Sequence, residues 1–226
     1  MKSVAVIVAG GTGSRMGAPS PKQFLELQGR PLLVHTVEAF VKALPDINII
    51  VVLPSSYWEE GGALLARYLP EVTVFFAEGG PTRFRSVQNG LALVKDPAIL
   101  FVHDAARCLV TPSLIRRCHA LALEKGSAVP VVPVRDSMRI VSDEGHAVAD
   151  RERLRAVQTP QTFRSEILLP AMSQPYDTSF TDEATVVERY GHRVELLEGE
   201  PDNIKITYPV DLVVATQVLA SRVIGS

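Results

Sequence analysis

The sequence of 226 residues has little cysteine, few aromatic residues and no surplus of positive charge. Its two cysteines, Cys108 and Cys118, occur without a CxxC pair or a cluster of histidines, which argues against a zinc site and against a disulfide framework. The formal net charge of −2 argues against bulk attraction to nucleic acid or to an anionic membrane, since both require a basic surplus. The N-terminal apolar run is too short for a signal peptide or a membrane span. We therefore expect a cytoplasmic protein that holds any anionic ligand with local cations.

What is present is the composition of an ordinary globular protein, with 46% hydrophobic and 21% charged residues. Strand-like apolar runs alternate with amphipathic segments of helical length, a pattern typical of α/β folds. The length of 226 residues suits one α/β domain, or one domain with a small appendage. The predicted strands are 4–8, 47–53, 72–76, 98–102, 128–132 and 193–197, and the predicted helices are 31–44, 58–68, 83–94, 112–123, 181–190 and 209–223.

The alternation breaks between residues 133 and 158, where no helical period is found. Two short apolar runs, 138–141 and 147–149, flank Asp143-Glu144-Gly145, which is typical of a β-hairpin turn. An isolated two-stranded hairpin is only marginally stable in water. We therefore expect residues 133–158 to form a β-arm that packs on the body of the protein or on a partner subunit.

A glycine-rich stretch, Ala9-Gly10-Gly11-Thr12-Gly13-Ser14-Arg15-Met16-Gly17, follows the first predicted strand, and Lys22 comes shortly after it. Open α/β sheets bind ligands beyond the carboxyl ends of their strands. Glycines let the backbone approach an anion closely, and Arg15 and Lys22 match the charge of phosphate. The dinucleotide fingerprint would need glycine at Met16, and the chain has no Walker A tripeptide. The stretch favours a nucleoside triphosphate site over a plain structural turn.

Asp104 directly follows the predicted strand 98–102, and we expect it at the same edge of the sheet as the glycines. An acid at the end of a buried strand suits a metal–nucleotide complex or a ribose hydroxyl. A helix cap or an ion pair with Arg107 is the structural alternative. The neighbouring His103 fits a structural hydrogen-bonding role better than that of a base.

The remaining polar candidates are weak when taken singly. Gly80 lies between a strand and a helix, where a flat base could rest on the backbone and Ser86 could bond to its edge, but an ordinary turn with an N-cap fits nearly as well. Thr181 could be the N-cap of the helix that follows it. Arg151 belongs to a charge run typical of a solvated face, and Lys205 is compatible with an isolated surface lysine.

The motifs become specific when they are taken together and in order. They are Ala9-Gly10-Gly11-x-Gly13-x-Arg15-Met16, Pro21-Lys22-Gln23, His103-Asp104-Ala105-Ala106-Arg107, Gln158-Thr159-Pro160-Gln161-x-Phe163, Thr181-Asp182-Glu183-Ala184 and Asn203-Ile204-Lys205-Ile206-Thr207. This set resembles the 2-C-methyl-D-erythritol 4-phosphate cytidylyltransferase family, which uses CTP in non-mevalonate isoprenoid synthesis. The resemblance covers essentially the whole chain.

The resemblance implies a single Rossmann-like α/β domain over residues 1–226, of the nucleotide-diphosphosugar transferase type, in which helices flank a mixed, mostly parallel sheet. It also implies a homodimer clasped by the β-arm. It implies CTP and a sugar-alcohol phosphate as substrates, Mg²⁺ or another divalent cation as cofactor, and no nucleic-acid or membrane partner. Arg15 and Lys22 would be catalytic by holding the CTP phosphates and stabilising the transition state, and Asp104 would lie near the ribose and the metal. Further implied CTP contacts are Ala9, Gly10, Gly11, Gly13, Gly80, Ser86 and Arg107, and implied acceptor contacts are Ser137, Arg151, Thr159, Thr181 and Lys205.

Three positions depart from the family pattern. Cys108 stands where proline is usual, Pro81 where an acid is common, and Ser137 where threonine is common, although serine keeps the hydroxyl group. Two alternative functions stay open: a ribitol-5-phosphate cytidylyltransferase, which shares the glycine loop and the Gln-Thr-Pro-Gln motif, and a non-catalytic nucleotide-binding regulator. The expected chemistry is in-line attack of a substrate phosphate on the α-phosphorus of CTP, which needs positioning and positive charge more than a protein nucleophile.

Overall fold

Strands and helices alternate along the residues that the computed structural model describes, which are 1–11, 16 and 21–224. The strands are β1 (Lys2–Val8), β2 (Glu26–Leu27), β3 (Arg30–Pro31), β4 (Asn48–Leu53), β5 (Val74–Glu78), β6 (Ala98–Asp104), β7 (Ser127–Pro133), β8 (Arg139–Ser142), β9 (Gly145–Val148), β10 (Arg155–Val157), β11 (Gln161–Arg164) and β12 (Leu196–Glu198). The helices are α1 (Leu32–Ala43), α2 (Trp58–Tyr68), α3 (Arg83–Leu91), α4 (Pro112–Lys125), α5 (Ser165–Met172), α6 (Glu183–Arg189) and α7 (Pro209–Ile224).

An eight-stranded sheet forms the centre of the molecule, in the order β10-β7-β11-β6-β1-β4-β5, with β12 also paired to β7. Strands β6, β1, β4 and β5 pair in parallel, while β11 runs antiparallel to both β6 and β7. The predicted mixed, mostly parallel sheet is confirmed. The order also places β4 on one side of β1 and β6 on the other, so β1 lies at the point where the strand order reverses.

Apolar side chains cover both faces of the sheet because successive residues of a strand point to opposite faces. In β1, Ala5 and Ile7 pack with residues of α1, α2 and α4, whereas Val4 and Val6 pack with residues of α3, α5 and α6. A smaller cluster, which includes Leu109, joins α7 to the body. Within the described part of the chain, no helix combines the length and apolar character needed to cross a membrane.

The predicted β-arm is present, but its boundaries are narrower than residues 133–158. Strands β8 and β9 form a two-stranded hairpin whose residues are all exposed, whereas β10 pairs with Val131–Pro133 of β7 and so belongs to the main sheet. The hairpin carries Ile140, Val141 and Val148 with 62%, 79% and 74% of their surface exposed. Apolar side chains this open to water are the ones that a partner surface would cover.

Five elements of the structure were not predicted from the sequence, namely the two-residue strands β2 and β3, strands β10 and β11, and helix α5. Strands β10 and β11 have only three and four residues, which is too short for a clear apolar pattern, and helix α5 contains Pro170, which is unusual inside a helix. Helix α6 begins at Glu183, and its N-cap is Asp182, whose carboxylate accepts a hydrogen bond from the Thr185 amide at 2.9 Å. The interpretation of Thr181 as the N-cap was therefore wrong.

Candidate active site

The carboxyl ends of β1 and β6 meet at the reversal point of the sheet. Val8 lies in register with Asp104, the Ala105 amide donates to the Val8 carbonyl at 3.0 Å, and the Ala9 amide donates to the Val52 carbonyl at 2.9 Å. Each contact continues the sheet by one residue into the loop that follows the strand. The start of the glycine stretch and Asp104 are thereby fixed side by side at the crevice where open α/β sheets bind ligands.

A cavity of about 300 Å³ opens at this crevice. It brings together eight of the residues singled out from the sequence, which are Ala9, Gly10, Gly11, Lys22, Gly80, Ser86, Asp104 and Lys205. It is also lined by Gln23, Pro81, Thr82 and Arg83, which had no assigned role. Arg15 and Gly13 lie outside the described residues. The cavity therefore unites the glycine stretch with an acid and several cations.

The glycines of the cavity are of two kinds. A Cβ on Gly10 would meet only the Ser86 hydroxyl, at 3.9 Å, and one on Gly11 would meet Lys22 Cε at 3.5 Å, which are ordinary contacts. A Cβ on Gly80 would lie 2.5 Å from Arg85 Cβ and 2.9 Å from the Ser86 amide nitrogen, which is impossible without movement of α3. Packing therefore requires glycine at position 80, whereas at positions 10 and 11 it leaves backbone open to the cavity.

Four charged side chains form a continuous network at the cavity, in which Arg83, Asp104 and Lys205 line the wall and Glu183 lies behind it. Arg83 Nε donates to Asp104 Oδ1 at 3.0 Å, and its Nη1 and Nη2 donate to the two oxygens of Glu183 at 2.6 and 2.9 Å. Lys205 Nζ lies 2.7 Å from the second oxygen of Asp104. The expected alternative partner of Asp104, Arg107, is not part of the network. Two acids and two cations balance each other beside the glycine stretch.

The network fixes the charges of Asp104 and Arg83. Burial by itself raises the pKa of Asp104, but Arg83 and Lys205 outweigh it and hold that pKa well below the usual range. Burial likewise raises the pKa of Glu183, and Arg83 opposes this shift. Burial lowers the pKa of Arg83, but Glu183 and Asp104 raise it above its ordinary value. Asp104 is therefore an anion, and Arg83 is a cation, at any pH at which the protein would work.

A buried chain of hydrogen bonds supports Asp104 from behind. Burial lowers the pKa of His103 to about 3, so its ring is neutral. His103 Nε2 lies 3.2 Å from the Arg107 carbonyl and must donate to it, which leaves Nδ1 to accept from the Thr159 hydroxyl at 3.0 Å. The same hydroxyl accepts from the Asp104 amide at 3.2 Å. The structural role expected for His103 is supported, and the Thr159 hydroxyl serves the backbone of Asp104.

Two implied CTP contacts have structural partners of their own. Ser86 Oγ accepts from the Gly80 amide at 2.9 Å and donates to the Thr82 carbonyl at 3.0 Å, so its hydroxyl closes the turn into α3. Arg107 donates to the carbonyls of Asn203 and Val157 at 2.8 and 3.2 Å, and it does not line the cavity. The structure thus gives Arg107 the task of joining the segments that carry Lys205 and β10.

The implied acceptor contacts are dispersed in the single chain. Lys205 lines the cavity, but Ser137 and Arg151 lie at the arm, where both are exposed. Arg151 donates to the Arg135 carbonyl at 3.0 Å and pairs with Glu152 at 3.5 Å. Thr181 is exposed ahead of α6, with its hydroxyl 3.3 Å from that of Thr185. One chain alone therefore does not bring these residues to the cavity.

The fit of the cavity to a divalent cation follows from its donors. Within residues 1–11, 16 and 21–224, no cluster of three or more His, Cys, Asp and Glu side chains could hold a metal. Asp104 is the one carboxylate among the described residues of the lining, and each of its oxygens accepts from one cation and keeps a further lone pair. Mg²⁺ is commonly bound by one or two carboxylates together with substrate phosphates. The residues fit a cation that arrives with a nucleotide, and they do not form an all-protein cage.

Sequence reasoning missed Arg83, Glu183 and Gln23. Arg83 follows a strand that ends at the same edge of the sheet, which is a signal that could have found it. Glu183 shares α6 with buried Ala184, Val186 and Val187, and an acid on an apolar helix face requires a cation nearby. Gln23 is 2% exposed, and its side-chain oxygen has no hydrogen-bond partner among the described residues.

Comparison with known proteins gives one consistent result. A family model described as "IspD: 2-C-methyl-D-erythritol 4-phosphate cytidylyltransferase" matches residues 3–221. Curated proteins named 2-C-methyl-D-erythritol 4-phosphate cytidylyltransferase from Bacteroides thetaiotaomicron and Porphyromonas gingivalis are each 45% identical to the chain, over 219 and 225 residues. The matches cover 97% of this chain in both cases, and 100% and 99% of the relatives.

Solved structures agree in fold over nearly the full length. A crystal structure of 2-C-methyl-D-erythritol 4-phosphate cytidylyltransferase from Thermus thermophilus superposes with a TM-score of 0.78 at 35% identity, covering 97% of this chain and 100% of the other. One from Francisella tularensis superposes with a TM-score of 0.80 at 27% identity, covering 96% and 99%.

Proposed function

We propose that the two substrates of this enzyme react in the cavity at the end of β1. The chain belongs to the 2-C-methyl-D-erythritol 4-phosphate cytidylyltransferase family. It is therefore a nucleotidyltransferase that transfers a cytidylyl group from CTP to 2-C-methyl-D-erythritol 4-phosphate. The products are 4-diphosphocytidyl-2-C-methyl-D-erythritol and pyrophosphate. The observation that carries the proposal is the meeting of Gly10 and Gly11 with Lys22, Lys205 and the ionised Asp104 in one cavity.

The chemistry sets what the cavity must do. An oxygen of the acceptor phosphate forms a bond to the α-phosphorus of CTP, and the bond from that phosphorus to the β-phosphate oxygen breaks, releasing pyrophosphate. Both reactants are anions, so the main obstacle is their repulsion, and fixed positive charge is the main remedy. Lys22 and Lys205 supply that charge from the described part of the lining, and Arg15 is proposed to add a third cation. Backbone at Gly10 and Gly11 is open for contact with the triphosphate.

Lys205 has a further part in this proposal. The ammonium group of Lys205 lies 2.7 Å from Asp104 Oδ2, and the Lys205 side chain is 39% exposed. A phosphate entering the cavity competes for the same ammonium group. Transfer of Lys205 to a phosphate frees one oxygen of Asp104, which then faces the ribose or the divalent cation carried by CTP. When bound, Mg²⁺ supplies positive charge that favours the departure of pyrophosphate.

We further propose that the enzyme is a homodimer in which the arm of one subunit completes the site of the other. The arm carries exposed apolar side chains, Ile140, Val141 and Val148, which a partner subunit would cover. Ser137 and Arg151 are attached to this arm and lie outside the cavity of their own chain. Carried by a partner, Arg151 would reach the acceptor phosphate opposite Lys205, and Thr181 is proposed to contact the same substrate.

A panel assay tests the acceptor. Purified enzyme with CTP and Mg²⁺ is given 2-C-methyl-D-erythritol 4-phosphate, ribitol 5-phosphate or neither, and pyrophosphate release is followed. We expect rapid release with the methylerythritol substrate alone. Preference for ribitol 5-phosphate would contradict the assignment of the acceptor, and absence of release with every acceptor, at any enzyme concentration, would support a binding regulator instead. The family match favours the first outcome.

A further inference from the structure

Glu183 is a buried acid that touches the reaction cavity only through another residue. Its side chain is 2% exposed, it is not part of the cavity lining, and both of its oxygens are held by the guanidinium group of Arg83. The two residues are 100 positions apart in the chain, so α3 and α6 meet through this pair. A buried charge of this kind is costly unless it is paired and hydrogen-bonded, which makes its presence informative.

The geometry of the pair controls Asp104. A guanidinium group is planar and rigid, so fixing Nη1 and Nη2 on Glu183 also fixes the direction of Nε–H. That third group donates to Asp104 Oδ1 at 3.0 Å. Arg83 therefore holds one oxygen of Asp104, and the other oxygen stays directed to Lys205 at 2.7 Å. Without Glu183, Nη1 and Nη2 of Arg83 would be free to bind both oxygens of Asp104 or to enter the cavity.

We propose that Glu183 is a positioning residue for cytidylyl transfer: through Arg83 it keeps Asp104 in the orientation that offers one oxygen to the incoming metal–nucleotide. The inference rests on the role proposed above for Asp104. It predicts that Glu183 affects turnover and cation binding without contacting either substrate. Residues that orient a metal ligand from behind change affinity or activity by about 10- to 100-fold when mutated.

The first test compares two identical substitutions on α6. Glu183→Gln removes the negative charge and one of the two oxygens that accept hydrogen bonds from Arg83. Glu188→Gln makes the same change at an exposed position of the same helix. We expect Glu183→Gln to lower kcat about 10- to 100-fold while calorimetric affinity for CTP without a divalent cation stays near wild type, and we expect Glu188→Gln to stay near wild type in both measurements. A second readout is Mn²⁺ affinity of the enzyme–CTP complex without acceptor, measured by electron paramagnetic resonance, which should weaken in Glu183→Gln alone.

A double-mutant cycle tests the route through Arg83. If Glu183 acts only through Arg83, then adding Glu183→Gln to an Arg83→Gln variant should cost little more in kcat. This comparison also serves if Glu183→Gln alone does not fold, because the double variant carries neither buried charge. Losses that multiply would overturn the inference, as would normal kcat and Mn²⁺ affinity in folded Glu183→Gln. Asp104→Asn distinguishes failure of the Glu183 inference from failure of the role proposed for Asp104. If Asp104→Asn is inactive while Glu183→Gln is normal, only the inference about Glu183 fails. An active Asp104→Asn variant would refute the role proposed for Asp104.

Discussion

Two glycine-to-alanine substitutions should separate what the fold needs from what the nucleotide needs. Gly80 and Gly10 line the same cavity, and neither has a positive φ, so alanine is compatible with the backbone at both positions. The difference lies in the surroundings. At position 80 the new methyl group would overlap Arg85 Cβ and the α3 backbone, whereas at position 10 its nearest atom is the Ser86 hydroxyl at 3.9 Å.

The expected magnitudes follow from these contacts. Overpacking against atoms that cannot rotate away costs about 1–3 kcal/mol, so Gly80→Ala should lower Tm by about 2–12 °C for a chain of this size. The same movement of α3 displaces Arg83, so kcat should fall as well. Gly10→Ala should leave Tm unchanged or raise it by up to about 4 °C, because alanine reduces the entropy of the unfolded chain. Its methyl group occupies space proposed for phosphate, so CTP should bind about tenfold more weakly or worse.

The assay is thermal unfolding followed by circular dichroism, combined with calorimetric titration of CTP into each folded variant. Gly29→Ala is not a suitable control because Gly29 has a φ of 73°, whereas Gly62→Ala adds a methyl group in ordinary contact with Phe76 at 3.8 Å, away from the cavity. An unchanged Tm in Gly80→Ala would refute the close packing at α3. Wild-type CTP affinity in Gly10→Ala would refute the placement of the nucleotide against the glycine stretch.

Three further predictions concern the charges and the arm. Lys22→Ala and Arg15→Ala should each lower kcat about 100-fold or more with little change in Tm, while Lys125→Ala on the exposed end of α4 should do neither; near-normal turnover in both would make the glycine stretch purely structural. Arg151→Ala should raise KM for the acceptor about tenfold to a hundredfold and leave calorimetric CTP affinity unchanged. Substitution of the exposed Arg116 by alanine is the control, and loss of CTP affinity in Arg151→Ala would assign Arg151 to CTP instead of the acceptor. Val141→Glu should convert a dimer to a monomer in light scattering. Mixing equal amounts of Arg151→Ala and Lys22→Ala subunits should restore about a quarter of wild-type activity, because about half of the dimers are mixed and each mixed dimer has one intact site of two. Verified heterodimers without activity would place both residues in one subunit's site.

Much of the framework was predictable because local signals agree with the fold. Helix α2 occupies residues 58–68 as predicted. Helix α4 begins at Pro112 after Thr111, whose hydroxyl caps it, and ends at Lys125, followed by the C-cap residue Gly126 with a φ of 95°. The buried strands of the parallel sheet are continuous apolar runs, as expected where both faces are covered. The carboxyl ends of β1 and β6 could therefore be placed together from the order of residues alone.

Side-chain pairing across the sheet could not be predicted in the same way. Lys205 is compatible with a surface residue in sequence, yet it pairs with Asp104, 101 positions away, and the pairing of Arg83 with Glu183 spans 100 positions. Thr159 and Ser86 carry hydroxyl groups that suit a ligand, but each already has two protein partners. Residue type shows which bonds a side chain can make, and only the packed structure shows which of them are already made.

The most direct test of the proposed reaction site is a crystal structure of the enzyme grown with CTP and Mg²⁺. The triphosphate should lie within hydrogen-bonding distance of the Gly10 and Gly11 backbone and of Lys22, with Lys205 moved from Asp104 towards phosphate. Density for CTP elsewhere, such as the apolar cavity at the opposite edge of the sheet beside Val4 and Phe75, would contradict this assignment of the site.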